Sequence, residues 1–180
     1  MFKLEMTKSL ILMGYMGCGK SALGKHLAAR KSLPFIDLDD YIESQENTSI
    51  SKMFKKEGEL YFRKKERLHL KSLLSNNVQS IISLGGGTPI YYDNIDFITQ
   101  KEDHLSLYLK TSPKVLAERL FKEKNHRPMI AHLDTSEALE EFIAKHLFER
   151  SPFYHKADHH LTTDNKTVEE IADQIEKLLA

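Results

Sequence analysis

Leu10-Ile11-Leu12-Met13 is an unbroken apolar run, short enough to be a strand buried on both faces of a parallel sheet. Beyond it Leu23, Leu27 and Ala28 recur at helical spacing up to about Arg30. Pro34 to Asp39 reads as a second strand, followed by a polar helix through Tyr41, Ile42 and Glu46. Thr48 and Ser49 are suited to cap a short helix carrying Ile50, Met53 and Phe54, which Gly58 would end. Leu60 to Leu74 predicts a longer helix with an apolar stripe of Leu60, Leu70, Leu73 and Leu74 and a basic cluster at Arg63-Lys64-Lys65. Val78 to Leu84 is a third apolar strand that runs straight into Gly85-Gly86-Gly87.

A helix around Ile95 to Ile98 precedes a strand from His104 to Leu109. Ser112-Pro113 is an N-cap followed by proline at the first helical position, opening a helix to about Phe121. Lys122 to Ser136 is polar and aperiodic, the pattern of a mobile insertion. Glu137 to Arg150 is amphipathic helix and His159 to Thr163 a last strand. Thr167-Val168-Glu169-Glu170 is a capping box for the final helix. Five strands alternating with helices predict an α/β fold, a parallel sheet flanked by helices on both faces. Its ligands are expected at the carboxyl ends of the strands.

The first strand-to-helix junction, Gly14-Tyr15-Met16-Gly17-Cys18-Gly19-Lys20-Ser21, has the phosphate-loop spacing. Glycines there bring successive amide N–H groups close to phosphate oxygens, and the helix start adds the positive end of its dipole. Lys20 supplies a full charge toward the β- and γ-phosphates, and the Ser21 hydroxyl is placed to ligate Mg²⁺. The motif establishes nucleotide handling, not the acceptor.

Asp37 and Asp39, two apart on a predicted strand, would project from the same face. One carboxylate would serve the Mg²⁺ shell and the other an attacking hydroxyl, although helix N-capping is a second use for such residues. Gly85-Gly86-Gly87 permits close approach of backbone to a small ligand, or is a plain turn. Arg63 and Arg150 lie on predicted helices, where surface ion pairing is the ordinary role. Arg127-Pro128 lies in the polar insertion, from which an arginine can swing onto a transferring phosphoryl group. Cys18 is a small residue in the loop whose thiol Lys20 and the helix start would make more acidic. The nearest histidines, His155, His159 and His160, have no cysteine or acidic set to complete a zinc site.

The chain has 180 residues, 41% of them hydrophobic and 29% charged, which suits one domain with a sizeable core. Its net charge is zero, so no basic field points to nucleic acid. No apolar run approaches the roughly 18 residues of a membrane helix, and Met1 to Lys8 lacks the apolar core of a signal peptide. A single cysteine excludes an internal disulfide and fits a cytoplasmic monomer.

The motifs together resemble the shikimate kinases. They are the phosphate loop, Phe35-Ile36-Asp37-Leu38-Asp39, Gly58-Glu59-Leu60-Tyr61-Phe62-Arg63, Ser83-Leu84-Gly85-Gly86-Gly87, Arg127-Pro128-Met129-Ile130 and Glu149-Arg150-Ser151-Pro152-Phe153-Tyr154. They occur in family order across about residues 9 to 178. The resemblance implies one nucleoside-monophosphate-kinase-like domain over residues 1–180, with a substrate-binding segment at about 40–70 and a lid at about 122–136. It implies MgATP-dependent phosphorylation of the shikimate 3-hydroxyl, on the route to chorismate and aromatic amino acids.

By the same resemblance, Asp39, Arg63, Gly86, Gly87 and Arg150 bind shikimate, and Lys20, Asp39 and Arg127 are catalytic. Gly14, Gly17, Cys18, Gly19, Lys20, Ser21, Ala22, Arg119 and Arg127 bind ATP, Arg119 by stacking on adenine, while Ser21 and Asp37 organise Mg²⁺. Two guanidinium groups for the one carboxylate of shikimate make chemical sense. Ala22 stands where the family often has threonine. A kinase of another hydroxy acid such as gluconate, and a non-catalytic nucleotide-binding module, are the competing readings.

Overall fold

The computed structural model describes residues 8–76, 78–100, 103–124 and 129–179. The strands are β1 (Ser9–Met13), β2 (Phe35–Asp37), β3 (Ile81–Ser83), β4 (His104–Lys110) and β5 (His159–Thr162). Between and after them run α1 (Lys20–Lys31), α2 (Leu38–Glu46), α3 (Ile50–Glu57), α4 (Glu59–Ser75), α5 (Asn94–Thr99), α6 (Pro113–Phe121), α7 (Ser136–Tyr154) and α8 (Val168–Leu178). A 3₁₀ turn, Thr88–Ile90, follows the glycine run. The sheet order is β2-β3-β1-β4-β5 and every pairing is parallel. The expected sheet, helix-covered on both faces, is therefore the fold.

Alternation along β1 divides the core. Leu10 and Leu12 pack with Leu23 and Leu27 of α1, Leu116 and Leu120 of α6, Ile143 of α7 and Ile175 of α8. Ile11 and Met13 face the other way, onto Ile42 of α2, Phe62 and Leu70 of α4, Ile98 of α5 and Tyr154. Burying each such side chain contributes about 1.5–3 kcal/mol. β1 is central, and the chain crosses from its β3 side to its β4 side, so the crevice ligands favour opens at its carboxyl end.

The structure corrects sequence expectations about where elements end and which faces they bury. β2 stops at Asp37 because its carboxylate accepts the Asp39 N–H at 3.1 Å and caps α2. Asp37 and Asp39 therefore do not alternate along one strand; Asp39 lies in the first turn of a helix. In α4 the inward stripe is Phe62, Glu66, Leu70 and Leu74, whereas Leu60 is 72% exposed. A hydrophobicity pattern passes over Glu66, which is buried because its charge is paired. Within the polar insertion Ile130 is fully buried in the core and Lys124 Nζ donates to Leu133 O at 2.9 Å. α7 also runs on through Pro152 to Tyr154, beyond the expected end at Arg150. The Tyr154 hydroxyl holds that last turn by donating to Gly86 O at 2.6 Å.

Candidate active site

The loop after β1 turns through Gly17 (φ 80°) and Gly19 (φ 99°), left-handed positions that a side chain would strain. Gly19 is the N-cap of α1 and leaves the first amides of that helix facing the crevice. Lys20 is buried, its Nζ donating to Gly14 O at 2.9 Å and Tyr15 O at 3.0 Å, with Cys18 Sγ at 3.7 Å. The ammonium thus sits in the concavity of the loop. Cys18 turns inward and is 2% exposed, so its thiol does not line the crevice. Arg119, on α6, donates from Nη1 to Gly17 O at 3.2 Å and borders the same crevice.

Ser21 and Asp37 meet: Ser21 Oγ donates to Asp37 Oδ2 at 3.0 Å. One hydroxyl beside one carboxylate is the partial ligand set that suits Mg²⁺, which takes its remaining ligands from phosphate and water. Among the described residues there is no cluster of three or more His, Cys, Asp or Glu that would compete as a metal cage.

Asp37 pairs in register with Ser83, and Ser83 with Leu12. Two residues beyond those partners lie Asp39, Gly85 and Gly14, which brings the three predicted polar features to one edge. A Cβ on Gly85 would lie 3.1 Å from Asp39 Oδ1, and one on Gly86 3.4 Å from Met16 N. Gly17, Gly19, Lys20, Ser21, Ala22, Asp37, Asp39, Gly86 and Arg119 border one cleft of about 500 Å³.

Asp39 is half-buried and its carboxyl is pushed up to about 6. Burial is the main cause, and the Asp37 and Glu66 carboxylates add to it against Lys20 and Arg63. A carboxylate held near neutrality beside a phosphate site is a group poised for proton work.

Arg63 and Gly87 adjoin, since a Cβ on Gly87 would lie 2.8 Å from Arg63 Nη2. Arg63 Nη1 donates to Glu66 Oε2 at 2.9 Å, while Nε and Nη2 both donate to Glu59 Oε1 at 3.3 Å. Arg150 lies with its guanidinium carbon 5.5 Å from the centre of the Tyr15 ring. The charges of Arg63 and Arg150 both hold Glu59 below its ordinary range, behind the hydrogen bond from Tyr91 that is the largest cause. Arg63 thus lies against Gly87, and Arg150 over Tyr15 of the phosphate loop. Arg127 lies outside the described residues.

Sequence reasoning missed Glu66. It is fully buried and also accepts from Thr88 Oγ1 at 2.7 Å, so it fixes both Arg63 and the turn after the glycines. Its signal was an acid in register with Phe62, Leu70 and Leu74 on one helix face. Tyr91 was missed as well, and nothing in the pattern announces it.

A sequence model of shikimate kinases matches residues 16–180. The chain belongs to the shikimate kinase family. It is 44% identical over 173 residues to the shikimate kinase of Flavobacterium johnsoniae, covering 96% of this chain and 99% of that one. The crystal structure of shikimate kinase from Bacteroides thetaiotaomicron superimposes with a TM-score of 0.83 at 33% identity, over 96% of this chain and 98% of that one. Shikimate kinase from Acinetobacter baumannii, solved in complex with shikimate, gives 0.82 at 29% identity, over 97% and 94%. As a member of the shikimate kinase family, the chain is a P-loop kinase enzyme, and its match spans both halves of the site.

Proposed function

We infer that the protein transfers the γ-phosphoryl group of ATP to the 3-hydroxyl of shikimate, giving shikimate 3-phosphate and ADP on the route to chorismate. The observation that supports this is a phosphate loop and Asp39 on one cleft, with Arg63 against the adjoining Gly87, in a chain of this family. Lys20 and the amides after Gly19 hold the phosphates and stabilise charge that develops on them. Arg63 and Arg150 grip the acceptor carboxylate, Gly86 offers backbone where a side chain would collide, and Asp39 orients the 3-hydroxyl and takes its proton late. Ser21 and Asp37 fit Mg²⁺, which when bound neutralises charge on the phosphate oxygens.

Arg119 is assigned to the adenine side and Arg127 to the phosphates. Residues 122–136 act as a lid hinged on the buried Ile130, and segment 40–70 as the acceptor-binding part. The protein works as a monomer in the cytoplasm, a reducing compartment that its single buried thiol suits.

The test is calorimetry on Arg63→Ala and Arg150→Ala. Each loses roughly 1.5–3 kcal/mol of shikimate affinity while MgATP affinity stays as in the unaltered enzyme. Equal loss of ATP affinity would place the arginines on the nucleotide instead.

A further inference from the structure

Arg63 is held by more than its carboxylate partners. Its guanidinium carbon lies 4.1 Å from the centre of the Tyr91 ring and 5.1 Å from that of Phe62. Tyr91 follows the Thr88–Ile90 turn, and its hydroxyl donates to Glu59 Oε1 at 2.6 Å, the oxygen that also accepts from Arg63 Nε and Nη2. Ring, acid and guanidinium therefore close a triangle.

The consequence lies in the donor count. Arginine has five N–H groups, all in the plane of the guanidinium. Among the described residues Glu59 takes one from Nε and one from Nη2, and Glu66 takes one from Nη1. One N–H remains on each terminal nitrogen for a further acceptor. The face of the Tyr91 ring holds the guanidinium by a cation–π contact, while the Tyr91 hydroxyl donates to Glu59. An unstacked arginine would spread its long side chain over several rotamers and lose that freedom on binding. A second arginine has the same arrangement: Arg150 lies 5.5 Å over the Tyr15 ring, whose hydroxyl is hydrogen-bonded with His146 Nδ1 at 3.1 Å.

We propose that Tyr91 is a positioning residue of the acceptor site, whose ring face sets the plane of Arg63 so that its two remaining N–H groups meet a substrate carboxylate. The proposal rests on the reading of Arg63 as a carboxylate-binding residue. Tyr91 touches Arg63 and acts through it, and it carries no proton in the reaction.

The experiment measures KM for shikimate, KM for MgATP and kcat for Tyr91→Phe, Tyr91→Leu, Arg63→Ala and the Arg63→Ala/Tyr91→Leu pair, with melting temperatures as the check on folding. Tyr91→Phe keeps the ring and stays within about twofold of the parent KM for shikimate, whereas Tyr91→Leu raises it roughly three- to tenfold. In both, KM for MgATP and kcat at saturating shikimate hold within about twofold. On the Arg63→Ala background Tyr91→Leu adds no further rise, because the residue it positions is gone. Loss of the effect in Tyr91→Leu, equal effects of Phe and Leu, or full additivity with Arg63→Ala each overturns the platform. If Arg63→Ala itself leaves KM for shikimate unchanged, the reading of the acceptor site fails first, and the two failures are told apart.

Discussion

Ser21 Oγ, at the start of α1, donates a hydrogen bond to Asp37 Oδ2 at 3.0 Å, at the end of β2. The other oxygen of the same carboxylate accepts the Asp39 N–H at 3.1 Å. Asp37 therefore joins the phosphate loop to the cap of the helix that carries Asp39. Two functions share one side chain, and substitutions can separate them.

Asp37→Asn keeps a good capping residue but removes the charge offered to Mg²⁺. Its melting temperature stays close to the parent, while the Mg²⁺ concentration for half-maximal rate rises severalfold. Asp37→Ala loses the cap too and costs about 1 kcal/mol more of stability. An unchanged Mg²⁺ requirement in a magnesium titration of Asp37→Asn would remove the residue from the metal shell.

Asp39 carries a pH signature. Its carboxyl rises from 3.8 to about 6 on folding, so between those values the native state binds more protons than the unfolded chain. Stability from this group is accordingly present at low pH and lost as pH rises through about 6. Asp39→Asn should raise the melting temperature above pH 6, by a free energy of roughly 1–3 kcal/mol, and show little gain near pH 4. Loss of a negative charge at the first turn of α2 opposes this by about 0.3–1 kcal/mol, the smaller effect. The same substitution should cut kcat severely. In the parent enzyme kcat/KM for shikimate falls as pH drops below about 6. A pH–rate profile flat through this window, or an Asp39→Asn enzyme that turns over normally, contradicts the role.

Ile130 is wholly buried, whereas Met129 beside it is 52% exposed. Ile130→Ala should cost about 2–5 kcal/mol of folding stability, and Ile130→Val roughly 0.5–1.5. Chemical denaturation measures both. A loss under about 1 kcal/mol for the alanine variant would mean that the segment does not pack on the core in solution.

The legible parts of this chain were those where local signals agree with one another. Leu10 to Met13, the phosphate loop and the helix carrying Leu23 and Leu27 were readable because apolar period, glycine spacing and capping point the same way. Ser112-Pro113 and the Thr167 to Glu170 capping box placed their helix starts for the same reason. The failures are local competitions. At Asp37-Leu38-Asp39 the strand pattern lost to a side-chain cap, a hydrogen bond no periodicity encodes. At Glu66 a buried charge hid in a helix because its partners, Arg63 and Thr88, are visible only in three dimensions. Tyr91 and Glu59 were illegible for a similar reason: both contact Arg63, Tyr91 from a distant part of the sequence and Glu59 from one helical turn away. Ile130 was hidden because Met129, Ile130, Ala131 and Leu133 form a short stretch with neither helical nor strand period, so nothing marks which of them turns inward.

Release of ADP by the unaltered enzyme tests the central claim most directly, followed at fixed MgATP with shikimate, with gluconate and with no acceptor. The account predicts rapid ADP release with shikimate, at most a small fraction of that rate with gluconate, and near-background release without acceptor, with shikimate 3-phosphate as the product. Release that does not depend on shikimate, or that gluconate supports better, would contradict it.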